Sequence, residues 1–298
     1  MGDKIKSIEV FRHDHVIKSI NSEEVETEQY KYQLKEFDEA GNELLEINYT
    51  PDGNVQDKTE RLFDEKRLIE EKYYDGEDLL AEHRTYQYNE EGKAEKEFLH
   101  YLDGSKDTIY YSYDENGHLK EKKTEDEDAY VERQEFFIND PQGRVLKHEI
   151  IEEEEVKRKD EYERNQEGEI EESRHIDNEN MEEFRLEHAY ENGQRTATRK
   201  YDATDQLIEK YEYRNEDDRV AMIIHELPGE KNITQFAYDD KGNIVKQEEF
   251  DRENTLLNRV ERQYNKHGDV TESKTFINLQ GRGIDRNYFL KYSYAYHD

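Results

Sequence analysis

The chain has 298 residues and contains neither cysteine nor tryptophan. Without thiols, no disulfide or thiolate chemistry is possible. No apolar stretch reaches the roughly 18 residues that a membrane-spanning helix needs. The start, Met1-Gly2-Asp3-Lys4-Ile5, lacks the apolar core of a signal peptide. These absences predict a cytoplasmic protein, although an exported protein whose signal peptide has been removed would look the same.

Apolar residues are scarce. Hydrophobic residues make up 32% of the chain and charged residues 41%, a balance close to that of disordered proteins. The 23 Tyr and 11 Phe argue for order, because disordered chains are poor in aromatic residues. We therefore expect a thin core made of aromatic rings and of the aliphatic stems of Lys, Arg and Glu.

Positive charge is also in short supply. The chain has 44 Lys and Arg against 77 Asp and Glu, a net charge of −33. This imbalance argues against DNA, RNA and anionic membranes as partners, because no basic stripe could displace their counterions. A basic protein surface is a possible partner. In the simpler interpretation, the charge only keeps an exposed sheet soluble and monomeric. The oligomeric state is left open.

What the chain does contain is an aromatic residue roughly every 25 positions. The intervals run from 23 to 28 residues, and the series is Phe11, Phe37, Phe63, Tyr88, Tyr113, Phe137, Tyr162, Tyr190, Tyr213, Tyr238 and Tyr264. A fixed period in this range is typical of a repeat array.

The period carries a turn signature. In five units Asp or Asn follows the aromatic residue and Gly comes three residues later: Asp38/Gly41, Asn89/Gly92, Asp114/Gly117, Asp239/Gly242 and Asn265/Gly268. Asp or Asn at the start of such a turn can accept a backbone N–H two residues on. Gly supplies the left-handed conformation that closes a hairpin through a bulge. Each signature therefore predicts a hairpin turn.

A second turn signal lies about 12 residues beyond each first one. The clearest stretches are 49–53, 74–76, 101–104, 201–205, 250–254 and 276–281. The segments between turns hold about eight residues, which suits strands and leaves no room for a helix with its caps. The segments also alternate in strand fashion, as Leu45, Ile47 and Tyr49 do.

These observations predict an all-β fold. We expect an antiparallel meander of roughly 22 strands, built from about eleven 25-residue two-strand repeats, that forms a curled or spiralling open sheet. We expect a single domain over residues 1–298. It would comprise an N-terminal cap region at 1–29, repeats over 30–281 and an aromatic capping strand at 282–298.

Three units depart from the pattern. In the stretches 137–143 and 162–168, Gly lies six residues after the aromatic residue and not four. We expect the two additional residues in the turns. The stretch 213–219 has no Gly. Insertions in loops are tolerated by an array of this kind.

The unit Tyr-Asp-x-x-Gly-x-(Leu/Ile/Val) resembles the YD repeat of the bacterial Rhs family. The clearest copies are Tyr113–Leu119 and Tyr238–Ile244, and the resemblance extends over most of residues 37–276. It implies β-hairpins that wind into a spiralling sheet, which in large members of the family encloses a toxin. The Arg that usually follows the turn Gly occurs only at Arg144, and the chain is unusually acidic and short. A small stand-alone repeat protein is therefore expected, and the resemblance supplies no catalytic residue.

Metal and catalytic signals are weak. His13 and His15 could share a metal if they lay on one strand, but no further ligand is evident, and a solvated turn is the simpler interpretation. The acidic runs 125–128, 152–155 and 169–172 lack the spacing of a calcium loop. No phosphate-binding Gly loop, nucleophile elbow or zinc-protease motif occurs. We expect no cofactor, no metal site and no enzymatic activity.

The C-terminus has the sharpest pattern. Five apolar residues share one parity and would lie on one face of a strand: Tyr288, Leu290, Tyr292, Tyr294 and Tyr296. This strand would either cap the array or form an edge on which a partner docks by adding a strand or by packing on the Tyr face.

Together these features predict a non-enzymatic protein-binding or scaffold protein that presents an acidic, Tyr-rich β surface to a protein partner, for which a basic protein is one candidate. One alternative is a neutralising or chaperone partner of a basic toxin or secreted effector. Another is a carbohydrate-binding sheet, against which the absence of Trp counts.

Overall fold

The structure is a computed structural model that describes residues 4–17, 25–279 and 285–297. The strands, numbered in chain order, are β1 Ile5–Ile17, β2 Val25–Phe37, β3 Glu43–Tyr49, β4 Val55–Asp64, β5 Arg67–Asp75, β6 Leu80–Tyr88, β7 Ala94–His100, β8 Lys106–Tyr113, β9 Leu119–Glu125, β10 Val131–Asn139, β11 Val145–Glu152, β12 Glu155–Arg164, β13 Ile170–Asp177, β14 Glu182–Glu191, β15 Gln194–Asp202, β16 Leu207–Glu216, β17 Arg219–Leu227, β18 Glu230–Tyr238, β19 Ile244–Phe250, β20 Leu256–Tyr264, β21 Val270–Ile277 and β22 Arg286–Tyr296.

The described residues form no helix, and all strand pairs described below are antiparallel. The predicted all-β meander of 22 strands is therefore confirmed. Within the same residues, no helix is long and apolar enough to cross a membrane.

The chain divides into two compact units. One comprises Met1–His83 together with Asn232–Asp298, and the other comprises Arg84–Lys231. In the second unit, strands β7 to β17 form a continuous series, in which each of β7 to β16 pairs with the next strand along the chain. This order follows directly from short hairpin connections.

The first unit holds the two ends of the chain side by side. Its strands lie in the order β18, β19, β20, β21, β22, β1, β2, β3, β4, β5. Strand β1 pairs with β22, so that Val10 faces Tyr292 and His13 faces Phe289. The sheet is thus closed across the chain termini, and the prediction of an open sheet is wrong. The local repeat pattern could not reveal this pairing because its two strands lie at opposite ends of the sequence.

We call the turns that follow even-numbered strands repeat turns, and seven of those in the described chain have the geometry that the Asp/Gly signature predicts. In the turn after β8, the Gly117 N–H donates to the Asp114 carbonyl at 2.9 Å and the Asp114 N–H donates to the His118 carbonyl at 2.8 Å. The Asp114 carboxylate accepts the N–H groups of Asn116 and His118, both at 2.9 Å. These bonds lower the pKa of Asp114, with the bond from His118 contributing most. Gly117 has a φ of +79°, as expected for a three-residue loop that ends in a bulge.

The turns that follow odd-numbered strands, here called intervening turns, often use the same geometry without Gly. After β9, the Ala129 N–H donates to the Asp126 carbonyl at 3.1 Å, and Ala129 has a φ of +62°. Two-residue turns occur elsewhere, as at Glu153-Glu154 after β11, where both residues have positive φ. A non-glycine residue in this left-handed backbone conformation carries a steric cost of roughly 1–2 kcal/mol.

Two of the three irregular units, 137–143 and 162–168, keep the regular turn, whereas the unit 213–219 has a two-residue turn at Asp217-Asp218. The turn after β10 is Asp140–Arg144, closed by the Gly143 N–H at 2.9 Å from the Asp140 carbonyl. The additional residues lie at the end of the strand and not in the turn, since β10 continues to Asn139. The prediction of lengthened turns is therefore wrong.

In seven of the even-numbered strands of the described chain, a residue at or near the end of the strand makes the same kind of hydrogen bond. Its side chain donates a hydrogen bond to the carbonyl of the second residue after the preceding turn Gly, at the start of the adjacent paired strand. The donor–acceptor pairs are Tyr113–Ala94, Asn139–Leu119, Arg164–Val145, Tyr190–Ile170, Asn215–Arg195, Tyr264–Ile244 and Tyr294–Val270. We call these bonds the repeat locks. They show that Asn139, Arg164 and Asn215 occupy the position that the aromatic series assigned to Phe137, Tyr162 and Tyr213.

The core is thin, as the composition suggests. Among the described residues, four apolar side chains fall in the buried class: Val10, Ile150, Ala197 and Ile224. Six polar or charged ones join them: His13, Glu97, Asp160, Ser173, Thr198 and Ser273. Buried polar groups of this kind must be hydrogen-bonded to be tolerated, which makes them the natural place to look for a site.

Candidate functional site

The predicted C-terminal stripe lies on strand β22. Its five members are half-buried: Tyr288, Leu290, Tyr292, Tyr294 and Tyr296. The residues that alternate with them from position 291 onward are exposed, namely Lys291, Ser293 and Ala295. The alternation expected of a strand is therefore present. The rings nevertheless serve contacts within the chain.

Two of these tyrosines form hydrogen bonds with β21 and with the turn before it. The Tyr294 hydroxyl donates to the Val270 carbonyl at 2.7 Å, and the Tyr296 hydroxyl donates to Asp269 Oδ2 at 2.9 Å. Burial raises the pKa of Tyr294 to about 12. On the other side, the Arg12 guanidinium lies 4.3 Å from the centroid of the Tyr288 ring.

Strand β22 has a neighbour on each side, β1 and β21. A partner therefore finds no free edge there to which it could add a strand. Packing of a partner on the exposed parts of the Tyr face stays a prediction.

His13 and Asp14 lie in strand β1, so the expectation of a solvated turn is wrong. His13 is buried, with 7% of its surface exposed, and its ring stacks on Phe289 at a centroid distance of 4.2 Å. Asp14 accepts hydrogen bonds from the Arg12 guanidinium at 2.8 to 3.1 Å. The side chain of His15 lies outside the described residues. In the part of the chain that the structure describes, no group of three His, Asp or Glu could hold a metal ion.

The most elaborate polar arrangement is a cross-strand row in the unit Arg84–Lys231. Successive strands place five residues directly opposite one another, from β10 to β14: Phe137, His148, Asp160, His175 and Phe184. We call this the His-Asp-His row. Cross-strand neighbours on one face of a sheet have Cβ atoms only about 5 Å apart, so the side chains interact directly.

Asp160 is the centre of the row and is 1% exposed. Its Oδ1 lies 2.7 Å from His175 Nδ1, and its Oδ2 accepts a bond from Arg158 Nε at 2.9 Å. His148 Nδ1 lies 3.6 Å from Oδ2. The buried carboxylate therefore has a cation and two imidazoles as partners, which offsets the cost of removing it from water.

The two phenylalanines close the ends of the row. The rings of Phe137 and His148 stack at 4.5 Å, and those of Phe184 and His175 stack at 4.7 Å. His148 Nε2 also lies 3.0 Å from Glu135 Oε2. Stacking and hydrogen bonding together fix both imidazoles.

His175 Nε2 lies 2.9 Å from Ser173 Oγ, which extends the contacts to a Ser-His-Asp relay. This set of contacts is also that of a nucleophilic triad. However, Ser173 is only 3% exposed, and a hydroxyl buried to this extent does not reach a substrate carbonyl. We therefore interpret the relay as structural.

Similar polar pairs continue across the next strands. His188 Nδ1 lies 2.9 Å from Thr198 Oγ1, and burial lowers the pKa of His188 to about 4. On β16 and β17, the rings of Tyr211 and His225 stack at 4.2 Å, and both groups bond to Glu209 at 2.7 Å. Burial and the bond to Glu209 raise the pKa of Tyr211 to about 12.

Sequence reasoning did not find the His-Asp-His row. Its members come from five strands and are separated by 9 to 15 residues, so no local cluster marks them. The available signal was the half-repeat of about 12 residues, which places Phe137, His148 and Asp160 at equivalent positions on consecutive strands.

Exposed apolar side chains gather at the intervening turns. In the unit Arg84–Lys231, Leu102 is 86% and Met181 is 91% exposed. We define the apolar rim as these two together with other exposed residues at or beside the same series of turns: Leu102, Tyr130, Val131, Val156, Met181 and Leu207. Two strands separate successive intervening turns, so neighbouring members are about 10 Å apart.

Carboxylates surround the rim. Glu127, Asp128, Glu153, Glu154 and Glu179 are all exposed in the same turns. Between two of these turns lies a groove of about 310 Å³, lined in part by Tyr130, Val131 and Ile151 and by Glu153 and Glu154. The rim thus combines apolar anchors with a negative border.

Comparison with known proteins adds little. No family model and no curated protein matches the chain. Among solved structures, it is similar to the Tc holotoxin pore of Photorhabdus luminescens, with 11% identity and a TM-score of 0.41 over 91% of this chain and 16% of that one. For TcdB2-TccC3 without its hypervariable C-terminal region, identity is 11% and the TM-score 0.39 over 84% and 16%. For a porin-like protein from Bacteroides uniformis, identity is 9% and the TM-score 0.27 over 98% of both chains.

The chain spans about a sixth of the length of the two toxin chains. Likeness at this level of identity and TM-score carries no argument about family or function. The hairpin array implied by the YD-repeat resemblance is shown by the strands and turns themselves.

Proposed function

We propose that this chain is a non-enzymatic protein-binding protein whose docking surface is the apolar rim. The observation that carries the proposal is the near-complete exposure of Leu102 and Met181 at turns of the same series. Large aliphatic groups exposed to this degree, in a chain with so little apolar material, are costly in water and suit an interface.

The border of the rim determines the kind of partner. Exposed carboxylates at Glu127, Asp128, Glu153 and Glu154 flank the anchors, and the whole chain has a net charge of −33. A partner that presents apolar side chains among Lys and Arg is complementary to this surface. Electrostatic attraction would speed association and make it sensitive to salt.

The apolar rim is a different surface from the Tyr stripe of β22, which lies in the other unit. Deletion of residues 288–298 would not test binding at that stripe cleanly, because it removes a strand that pairs with both β1 and β21. Substitutions at the rim leave the strand pairing intact and give a cleaner test.

The test compares two double variants of the full chain. The rim variant carries Leu102→Ser and Met181→Ser. The control carries Leu62→Ser and Ile138→Ser, which removes two exposed side chains, 52% and 55% accessible, from strands β4 and β10. Partners captured from a native lysate are identified, purified and titrated against both variants and the wild-type chain.

We expect the rim variant to bind the purified partner at least tenfold more weakly, corresponding to about 1.4 kcal/mol, and the control to bind within twofold of wild type. Affinity should also fall as salt rises from about 50 to 300 mM, because the Debye length shortens by a factor of about 2.4 over that range. Equal affinities of the two variants would contradict the proposal. A captured partner that is a basic toxin inhibited on binding would favour the neutralising role over a scaffold.

A further inference from the structure

The apolar rim has a regular spacing that indicates the kind of segment that docks on it. Its central anchors lie at or beside three consecutive intervening turns, those after β9, β11 and β13: Tyr130, Val131, Val156 and Met181. Two antiparallel strands separate successive turns of this series, and each strand adds about 4.8 Å. The anchors therefore recur about every 10 Å along the edge of the sheet.

An α-helix matches this spacing. Residues seven apart in a helix lie on the same face and about 10.5 Å apart along its axis. A β-strand does not match, because residues on one of its faces recur about every 7 Å. Adjacent strands are rotated by about 20–25°, so the line of anchors bends. A straight helix can therefore follow only about three turns, which corresponds to roughly 15 residues.

The backbone of these turns is already hydrogen-bonded. After β9, the Asp126 N–H donates to the Tyr130 carbonyl at 3.0 Å, and the Ala129 N–H donates to the Asp126 carbonyl at 3.1 Å. After β13, the Asn178 N–H donates to the Lys157 carbonyl at 2.8 Å. An extended segment that adds to a sheet relies on backbone hydrogen bonds with it. A helix satisfies its own backbone groups and needs only side-chain contacts from the rim.

The groove of about 310 Å³ between the turns after β9 and β11 adds a requirement for positive charge. Its described lining includes the carboxylates of Glu132, Glu153 and Glu154 and contains no Lys or Arg. Burial and the nearby charges of Asp107 and Asp126 raise the pKa of Glu132, because both disfavour the ionised carboxylate. A cationic side chain placed in the groove would offset this repulsion.

The cations on the adjoining strands do not neutralise these turns, because each has a carboxylate partner of its own. The pairs are Lys123 with Glu125 at 2.7 Å, Arg133 with Glu152 at 2.5 Å, Lys157 with Glu155 at 3.1 Å and Arg158 with Asp160 at 2.9 Å. Five exposed carboxylates of the three turns form no ion pair within the described part of the chain: Glu127, Asp128, Glu153, Glu154 and Glu179. The turns therefore keep an excess of negative charge.

We propose that the rim binds an amphipathic α-helix of about 15 residues, whose apolar side chains recur every seven positions and whose flanks carry Lys or Arg. The helix lies across the turns after β9, β11 and β13, and one of its cations enters the groove beside Tyr130 and Val131. This inference rests on the proposed function and adds the conformation and the charge pattern of the segment that the partner presents.

The test uses synthetic peptides of about 18 residues, Ala-rich so that they form helix, and fluorescence anisotropy with the full chain in about 50 mM salt. The probe peptide has Leu at every seventh position and Lys on its flanks. A second peptide has the same composition with Leu at every fifth position, which spreads the Leu side chains around the helix. A third is the probe with a central Pro, which breaks the helix.

We expect the probe to bind at least fivefold more tightly than either comparison peptide. Equal binding of the second peptide would show only long-range attraction between opposite charges and would overturn the proposal. Equal binding of the Pro peptide would also overturn it, because the rim would then accept a segment that is not helical.

Variants of the chain locate the binding. Tyr130→Ser together with Met181→Ser should raise the Kd of the probe at least fivefold, whereas the control pair Leu62→Ser and Ile138→Ser should leave it within twofold. If the Tyr130/Met181 variant binds the probe as the wild-type chain does, the helix docks elsewhere and the proposal is wrong.

A second pair of variants tests the groove at constant net charge. Glu153→Gln with Glu154→Gln should raise the Kd about threefold, as expected for loss of local charge contacts. Glu115→Gln with Glu167→Gln removes the same charge from exposed positions in the repeat turns after β8 and β12 and should change it less than half as much. Equal effects would contradict a cation in the groove.

Failure of this inference can be told apart from failure of the proposed function. If the peptides do not differ but the purified partner still binds the Leu102/Met181 variant more weakly, the rim is a protein interface whose occupant is not a helix. If neither the probe nor the partner responds to substitutions at the rim, both proposals are wrong.

Discussion

The Tyr264 hydroxyl donates a hydrogen bond of 2.7 Å to the Ile244 carbonyl oxygen, the second residue after the turn Gly of the preceding repeat. The same bond is made by Tyr113, Tyr190 and Tyr294 at 2.7 to 3.0 Å. The repeat locks connect directly paired strands, and they add a side-chain hydrogen bond to the backbone ladder close to the repeat turn. They explain why a hydroxyl-bearing aromatic residue recurs before the turns better than ring stacking does.

Tyr264→Phe should therefore destabilise the fold. The substitution keeps the ring but removes the donor to the Ile244 carbonyl, and the expected loss in the free energy of unfolding is about 1 kcal/mol. Urea denaturation followed by circular dichroism measures it. The control is Tyr213→Phe, because Asn215 makes the lock in that unit. If both variants lose the same stability, the lock is not the reason for the Tyr.

The conformation of the turns gives a pair of substitutions with opposite expected effects. Gly92 has a φ of +78° with nothing within 4 Å of an added Cβ, so Gly92→Ala introduces backbone strain without a clash and should cost about 1 kcal/mol. Ala129 has a φ of +62°, so Ala129→Gly should relieve strain and stabilise by up to about 1 kcal/mol.

Thermal and urea unfolding of both variants measure these changes. The two turns are of the same type, so a general loss of stability in both variants would contradict the assigned conformations. A gain for Ala129→Gly together with a loss for Gly92→Ala is the expected result.

The turn chemistry was the part of the fold that the sequence could reveal. Asp114 and Gly117 act within one hairpin, and their roles depend on a few neighbouring residues. The roles of Asn139 and Arg164 were missed because an amide or a guanidinium replaces the Tyr hydroxyl as the hydrogen-bond donor at these positions. A search for a periodic aromatic residue does not detect donors of another residue type.

Contacts between distant segments were beyond the sequence pattern. The pairing of Val10 with Tyr292 joins strands from the two chain ends. The sequence of neither strand indicates which other strand it pairs with. The burial of Asp160 was hidden for a related reason. In an acid-rich sequence, one buried carboxylate cannot be told from the many exposed ones. Asp160 stands out only in the folded chain, where strand pairing places His148 and His175 on either side of it.

His188 should make stability depend on pH. Burial lowers its pKa from 6.5 to about 4 in the folded chain, so the unfolded chain binds the proton first as pH falls. The contribution of His188 is therefore complete above about pH 6.5 and is lost as pH falls toward 4. NMR titration of the imidazole should give a midpoint near the lower value.

His188→Gln removes this titration while retaining a side chain that can bond to Thr198. The urea midpoint of the variant should fall less steeply between pH 6.5 and 4 than that of the wild-type chain. An unchanged slope, or an imidazole midpoint near 6.5, would contradict the assignment of His188 as a buried neutral group.

Asp160 should be the most sensitive carboxylate in the described part of the unit Arg84–Lys231. Asp160→Asn keeps the shape of the side chain but removes the charge that faces Arg158 and replaces one acceptor oxygen beside His148 or His175 with a donor. The expected loss in the free energy of unfolding is about 2 to 4 kcal/mol. Loss of the stacked arrangement should also shift the ring resonances of Phe137 and Phe184.

The matched control is Asp205→Asn, since Asp205 also pairs with an arginine, Arg185 at 3.0 Å, but its side chain is 79% exposed. Exposed pairs contribute about 0 to 1 kcal/mol, so this variant should stay close to wild type in urea unfolding. If the two substitutions cost the same, burial in the His-Asp-His row adds nothing to the pairing. If Asp160→Asn alone unfolds the chain at a much lower urea concentration, the row is the polar core that holds strands β10 to β14 together.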